Sequence, residues 1–419
     1  ATTAIDIIKK FIVDRGLIIY GGTAVDYALR LHGDNIYPDE ALALPDLDFY
    51  SPNSVADAYD LARILYTAGF TSARAINALY VITMRVDIGD NHFLADVSYV
   101  PPSIFETLPT ITYEGMRCID PIFQKIDFHS CLAFPFDNPP REVIFEKWAK
   151  YVTRFNKMHH HYPTPPHEHV VEFQSVTHNI LPNTLLGGLG AYAAYYTRYA
   201  TENPTTPNMI FAKFTQRDNQ VTYTANKIIM LSDALVECEP AIDTPEYYRA
   251  YINIMPKHLR GTINGVTTEI YSSENKLVCC AVPLPGVKCV SVQWMLLQFL
   301  TMAHTAADPL LKSTYYAYYE STMLMIKGDE MRLASLKPDE AAAKITDSPF
   351  QLNINIYGTK NISPAYEIAV NRIKADQSKP YDQTPTPRGY YPARGNPPSV
   401  FDYNNPWFMK DGSRDTDKK

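Results

Sequence analysis

Two stretches of the sequence follow one plan. "LIIYGGTAVDYALRL", residues 17–31, is a short apolar run, a glycine pair and then a helical period. "TLLGGLGAYAAYYTRY", residues 184–199, repeats that order. Later segments pair as well, "QKIDFHSCLAFPF" with "VKCVSVQWMLLQFL". Gly21 and Asp127 are 106 residues apart, and Gly187 and Val290 are 103 apart. Each copy closes on a Pro-marked break and an amphipathic helix, "REVIFEKWAKYVTRF" in the first and "PLLKSTYYAYYESTMLMI" in the second. A shared order at a shared spacing predicts one fold used twice.

Within the first copy, residues 5–15 read as a helix and "LIIYGG" as a strand ending in a glycine turn. "TAVDYALRL" is a helix with Val25, Ala28 and Leu29 on one face. "DLDFYS" alternates as a strand, and "VADAYDLARILYTAGF" is a helix stopped near Gly69. "LYVITMRVDIGD" and "NHFLADVSYVP" are strands joined by a hairpin at "IGDNH". This order predicts an α/β domain with a mixed sheet. The expected division is a first domain over 1–158, a linker over 159–172, a second domain over 173–375 and a Pro- and Tyr-rich arm over 376–419. The last residues, "KDGSRDTDKK", are expected to be disordered.

Asp46 and Asp48 are two residues apart, so on a strand they share a face. Adjacent carboxylates repel, and a divalent cation removes the repulsion. Asp96 adds a third acid in the apolar run "FLADVSYV", where an unpartnered charge is costly. A two-metal site accounts for all three. Gly21 and Gly22 let the backbone approach a phosphate at the start of the following helix, and the Thr23 hydroxyl adds a donor there. The second copy has no acidic pair at the equivalent offset, which falls on Ala212, and no acid in "LRGTINGV". It is expected to have lost the carboxylates and to serve structure or RNA holding.

Composition bounds the alternatives. The chain has 419 residues, 46% hydrophobic and 20% charged, which suits two or three globular domains. No run of about 18 apolar residues is present, and residues 1–16 lack the apolar core of a signal peptide. A net charge of −7 argues against broad non-specific nucleic-acid binding and leaves room for a local basic groove. Six cysteines without a C-x-x-C pair read as buried, reduced thiols. The 30 tyrosines and 32 prolines are expected to pack long ordered loops. Six of the eleven histidines lie between His159 and His178, in a segment without metal-ligand spacing. Arg388 and Arg394 stand among tyrosines, a pattern that suits either single-stranded RNA or an arm docked on protein; docking is favoured.

"GGTAVDYAL…PDLDFYSP…LADVSY" resembles the polymerase-β-like nucleotidyltransferase pattern. More narrowly the chain is similar to the poly(A) polymerases of large cytoplasmic DNA viruses, on "IIYGGTAVDYALRLHG", "PDLDFYSPNSVADAYDLARILY", "ADVSYVPPSIFETLPTITYEG" and "LAFPFDNPPREVIFEKW". Those include the African swine fever virus and giant amoebal virus enzymes and, more distantly, the poxvirus catalytic subunit. The resemblance implies a nucleotidyltransferase fold followed by a catalytically degenerate second copy. It implies template-independent transfer of AMP from ATP to an RNA 3′ end, for viral mRNA polyadenylation. It carries the catalytic, metal-holding acids onto Asp46, Asp48 and Asp96, with two Mg²⁺ or Mn²⁺ ions, and the nucleotide-binding turn onto Gly21 and Gly22. The partners it implies are RNA, ATP and either a second copy of the chain or a viral processivity subunit, with no membrane. The implied place is the host cytoplasm, in the viral factory, with packaging in the virion as a further expectation. An oligoadenylate- or CCA-type transferase and a non-catalytic RNA-binding subunit are the alternatives. The triphosphate also needs a cation, expected among Arg141, Lys147, Lys150 and Arg154.

Overall fold

The structure is a computed structural model of the 419-residue chain. It describes residues 2–38, 46–78, 82–89, 93–134, 144–167, 170–204, 206–249, 256–273, 280–350, 400–401 and 409–410. These residues form two compact units. One is built from 1–125 and 152–163, the other from 126–151 and from 164 onward to 376, with 400–419. The division falls within two helices rather than at the boundary near 158 expected from the sequence.

In the first unit the order is α1 (Thr2–Arg15), β1 (Ile18–Ile19), α2 (Gly21–Arg30), β2 (Phe49–Ser51), α3 (Ser54–Thr67), β3 (Arg74–Asn77), β4 (Thr83–Asp87), β5 (Phe93–Tyr99), a one-turn α4 (Pro102–Phe105), β6 (Thr110–Tyr113) and β7 (Met116–Ile119). Two helices follow, α5 (Pro121–Ala133) and α6 (Ile144–His161), and the residues of α6 from Val152 belong to this unit. The sheet order is β3-β4-β5-β2-β1-β7-β6. The β4–β5 hairpin lies where "IGDNH" placed it, pairing Asp87 with Phe93. β3 and the β6–β7 hairpin were not foreseen. The central β1 is two residues long, and Leu17, Ile18 and Ile19 are all buried.

Helix α2 was expected to bury one face. It buries every residue from Thr23 to Leu29, and the Tyr162 hydroxyl, just after α6, donates to the Ala28 carbonyl at 2.7 Å. The buried Asp26 is satisfied by the N–H groups of Ile36 and Tyr37 at 2.8 and 2.9 Å and by Arg30. The histidine-rich stretch expected as linker is helical at its start, since His159–His161 complete α6.

The second unit continues with β8 (Ser175–Asn179), β9 (Thr184–Leu186), α7 (Gly188–Glu202), β10 (Phe214–Arg217), β11 (Gln220–Thr224), β12 (Ile228–Ser232), α8 (Leu235–Cys238), β13 (Asp243–Arg249), β14 (His258–Ile263), β15 (Val266–Ser272), β16 (Cys280–Leu284) and β17 (Val287–Val290). Helices α9 (Val292–Thr305), α10 (Pro309–Ala334) and α11 (Pro338–Asp347) follow, then the two-residue strands β18 (Val400–Phe401) and β19 (Met409–Lys410). Apart from β18 and β19, the C-terminal arm, its Arg388 and Arg394 and the expected disordered end lie outside the described residues.

The larger sheet of this unit runs β16-β17-β9-β12-β15-β14-β13, extended by β19-β18; β10-β11-β8 form a separate three-stranded sheet. Read from the other end, its first seven strands repeat the first sheet. In both, the third and fourth strands of the order (β5–β2, β15–β12) are parallel, as are the fifth and sixth (β1–β7, β9–β17), and the remaining pairs are antiparallel. Local bonds repeat too. Tyr20 N–H donates to the Asp48 carbonyl and Gly187 N–H to the Ile229 carbonyl, at 2.8 and 2.9 Å. The internal repeat is therefore a shared topology, in a register one residue away from that guessed from the glycines: Gly21 (φ +70°) corresponds to Gly188 (φ +52°).

This register corrects one expectation. Asp48 corresponds to Ile229 and Asp46 to Lys227, but Asp96 corresponds to Glu269. Two acids are gone from the second unit and the third remains. The tyrosines also differ from expectation, since Tyr192, Tyr195, Tyr199, Tyr223 and Tyr319 are fully buried in this unit's core. Cys118, Cys238 and Cys289 are buried and Cys131 and Cys280 half-buried, all as free thiols. Among the described residues no helix is long and apolar enough to cross a membrane.

Candidate active site

The first turn of α2 sets the site. Tyr20 is extended, and Gly21 turns into the left-handed region at φ +70°, where a side chain is disfavoured. A Cβ on Gly21 would stand 2.7 Å from Asp48 Oδ2. The missing side chain is what lets the Asp48 carboxylate lie against the start of the helix. A Cβ on Gly22 would collide with the Tyr37 hydroxyl and stand 3.4 Å from Arg154 Nη1. The glycine pair therefore lets an aspartate on one side, and a tyrosine hydroxyl and an arginine on the other, close in on a helix end that favours anions.

The aspartate segment precedes β2 rather than lying in it, but its alternation holds: Asp46 is exposed, Leu47 buried and Asp48 half-buried. Leu47 N–H donates to the Leu94 carbonyl at 2.9 Å, which draws the segment onto β5. The Thr23 hydroxyl donates to the Asp46 carbonyl at 2.9 Å, and Thr23 is buried. There the hydroxyl ties the aspartate segment to α2.

Parallel pairing of Phe49 with Val97 puts Asp48 beside Asp96. Asp48 Oδ1 is buried with no hydrogen-bond partner. Burial, then the neighbouring Asp46 and Asp96 charges, push its pKa well above the usual carboxylate range, against a smaller opposing pull from Arg85. The Asp96 carboxylate is gripped from the adjacent strand by Arg85, Nε to Oδ1 and Nη2 to Oδ2, both at 2.7 Å. The guanidinium in turn lies over Phe93, 4.5 Å from the ring centre. Tyr20 stacks on Tyr50 at 4.2 Å, and its hydroxyl shares a hydrogen bond with the Ser98 hydroxyl, which in turn shares one with Thr83.

Among the described residues no three His, Cys, Asp or Glu side chains stand as a closed metal-ligating cluster. Asp46 faces solvent and Asp96 is engaged by Arg85. What the site does have is a buried carboxylate oxygen without a partner, with two further carboxylates as its strongest electrostatic neighbours. That all-oxygen donor set fits a hard divalent cation.

Of the four cations expected for the triphosphate, the structure describes the side chains of two, Lys150 and Arg154. Arg141 and the Lys147 side chain lie outside the described residues. Lys150 lies over Tyr151. Arg154 stands at the glycine turn, with Nη2 3.2 Å from the Tyr37 hydroxyl and the guanidinium over the Tyr37 ring. Tyr37 is fixed by its own N–H bond to Asp26. Lys157, one turn on, is instead paired with Asp34 at 2.6 Å. Arg85 and Tyr37 were missed in the sequence. Arg85 left one signal, a cation inside the alternating strand "VITMRVD".

The family model of the poly(A) polymerase catalytic subunit matches residues 6–138, which hold Gly21, Gly22, Asp46, Asp48 and Asp96. An African swine fever virus protein, named provisionally as a poly(A) polymerase catalytic subunit, is 31% identical over 99% of this chain and 93% of its own. A protein of Acanthamoeba polyphaga mimivirus with the same provisional name is 30% identical over 38% of this chain and 26% of its own. The crystal structure of the Megavirus polyadenylate synthase shares the fold, with a TM-score of 0.66 at 18% identity, covering 90% of this chain and 78% of that one.

Proposed function

The chain belongs to the poly(A) polymerase catalytic subunit family, and we propose that it lengthens RNA 3′ ends with AMP from ATP, without a template, in viral mRNA polyadenylation. The observation that carries the site assignment is the partnerless, buried Asp48 oxygen beside the helix end opened by Gly21 and Gly22. Asp46, Asp48 and Asp96 are the residues to hold Mg²⁺ or Mn²⁺, which when bound neutralises the clustered carboxylates and the phosphate charge and favours the deprotonated 3′-hydroxyl.

Each remaining part follows from the chain itself. The RNA 3′-oxygen forms a bond to the α-phosphorus while the bond to the pyrophosphate oxygen breaks. Asp96 is the carboxylate to take the hydroxyl proton, and Arg85 holds it in orientation. The α2 N-terminus and Arg154 receive the pyrophosphate charge. Thr23 and the Leu47 amide keep the aspartates fixed to α2 and β5. The second unit is read as a structural or RNA-holding copy, and activity is placed in the host cytoplasm. A second copy of the chain or a viral subunit would supply processivity.

The test uses a labelled RNA primer, Mg²⁺ or Mn²⁺, and each nucleotide alone. Long tails with ATP only are expected. Equal use of all four nucleotides, a few-residue addition of the oligoadenylate or CCA kind, or no extension would overturn the reading. Arg154→Ala is expected to raise the KM for ATP about tenfold, equivalent to about 1.4 kcal/mol of lost phosphate interaction, with a smaller change in the KM for RNA. An unchanged KM for ATP would remove Arg154 from the phosphate site.

A further inference from the structure

The second unit keeps more of the site than its sequence shows. Ile229 pairs with Glu269 in the parallel register that sets Asp48 beside Asp96. Arg260 pairs with Glu269 as Arg85 pairs with Asp96, across the equivalent antiparallel strands. Turns match as well: Val100 N–H donates to the Ser51 carbonyl and Ser273 N–H to the Ser232 carbonyl, both at 3.0 Å. The Asn53 and Ala234 amides donate to the Ser51 and Ser232 hydroxyls in the same way. The backbone that presents the acids is therefore present twice.

The difference lies in the charges. At the Asp46 position stands Lys227, and its ammonium donates to Glu269 Oε2 at 2.9 Å. The Tyr271 hydroxyl donates to the same oxygen at 2.9 Å. Burial alone would raise the Glu269 pKa, but Lys227, then His258 and Arg260, bring it down to about 2. Arg260 has moved aside relative to its counterpart. Its Nε is 3.9 Å from Glu269, whereas Arg85 binds Asp96 with two bonds of 2.7 Å. In the first unit the arginine holds the acid with two hydrogen bonds; in the second the lysine does, and the arginine stays at ion-pair distance.

We propose that the second unit is a divalent-cation site closed by its own lysine, with the Lys227 ammonium in the place of the cation. Glu269 and the backbone around it retain the geometry for an ion, and the exchange of two side chains, at 227 and 229, is what excludes it. This rests on the reading of Asp46, Asp48 and Asp96 as the cation site of the first unit, and the test separates the two. It also deepens the internal repeat: the second copy is switched off by substitution of charge, not by loss of shape.

Mn²⁺ binding to the full chain is measured by electron paramagnetic resonance, beginning with Asp46→Asn/Asp48→Asn. Loss of the wild-type Mn²⁺ in that protein tests the first unit alone. Ile229→Asp is then added, and next Ile229→Asp with Lys227→Asp. The last protein is expected to regain one Mn²⁺ per chain, bound at least about tenfold more tightly than by Ile229→Asp with Lys227 intact. Its melting temperature should rise with Mn²⁺ while that of Ile229→Asp does not, because only a bound ion shifts the folding equilibrium. Equal binding with and without Lys227, or a folded double exchange that binds no more than its background, overturns the proposal. If Lys227→Asp does not fold, Lys227→Ala with Ile229→Asp removes the ammonium without adding a charge. Tighter Mn²⁺ than in Ile229→Asp then supports the proposal, and no difference overturns it.

Discussion

Asp48→Asn is expected to abolish RNA extension and to raise the melting temperature of the metal-free protein. The two effects share one cause. One oxygen of the half-buried Asp48 carboxylate is buried without a partner, and the group feels the negative charges of Asp46 and Asp96. An acid whose folded pKa is raised weakens the fold at every pH above that pKa. The penalty fades as the pH falls through it and the group becomes protonated. Asparagine removes the charge at nearly constant volume, so a gain of about 1 kcal/mol is expected near neutral pH. Losing a metal-holding carboxylate should cost about 4 kcal/mol in the transition state, or about a thousandfold in rate. Extension of labelled primer and thermal unfolding in chelator check the two halves. An active Asp48→Asn protein would show that the acids are misassigned. An inactive one of lower stability would show that the carboxylate is not under electrostatic load.

Gly21→Ala should cut extension by about a hundredfold through displacement of Asp48. The added methyl would stand 2.7 Å from Asp48 Oδ2, on a residue held at φ +70°. The backbone term alone is about 1–2 kcal/mol. Gly188→Ala is the control that separates the two contributions. It meets the same left-handed requirement at φ +52°, but its methyl faces the Ile229 side chain, nearest at Cδ1. Both variants should therefore melt earlier, and only Gly21→Ala should lose catalysis in proportion to the shift of Asp48. Comparable activity loss in the two would place the effect in stability rather than in the site.

Local pattern made part of this legible. The glycine pair, the alternating aspartates and the acid inside "FLADV" were visible because each violates what an ordinary strand or turn requires. The repeat was visible in order and spacing, yet its register was off by one. Glycine identity suggested aligning Gly21 with Gly187, while the left-handed backbone aligns Gly21 with Gly188. That slip, together with counting offsets rather than strands, hid Glu269. Arg85 and Tyr37 were hidden for a different reason. Arg85 is defined by the strand opposite it, and Tyr37 by two amide bonds into the buried Asp26. Both are long-range facts that periodicity cannot report. Thr23 was rightly placed at the turn, but the direction of its hydroxyl depends on a carbonyl 23 positions away.

The wrapping of α2 has a consequence for ionic strength. Its flanks are covered from Thr23 to Leu29, so the partial positive charge at its start is backed by protein rather than by mobile ions. Arg154 is half-exposed and surrounded by electrolyte on one side. At about 0.15 M salt, exposed charges are screened beyond roughly 8 Å. Attraction of a triphosphate from a distance therefore belongs to groups such as Arg154 and weakens as salt is added. The hold on a phosphate already seated at Gly21 and Gly22 belongs to the helix and changes little.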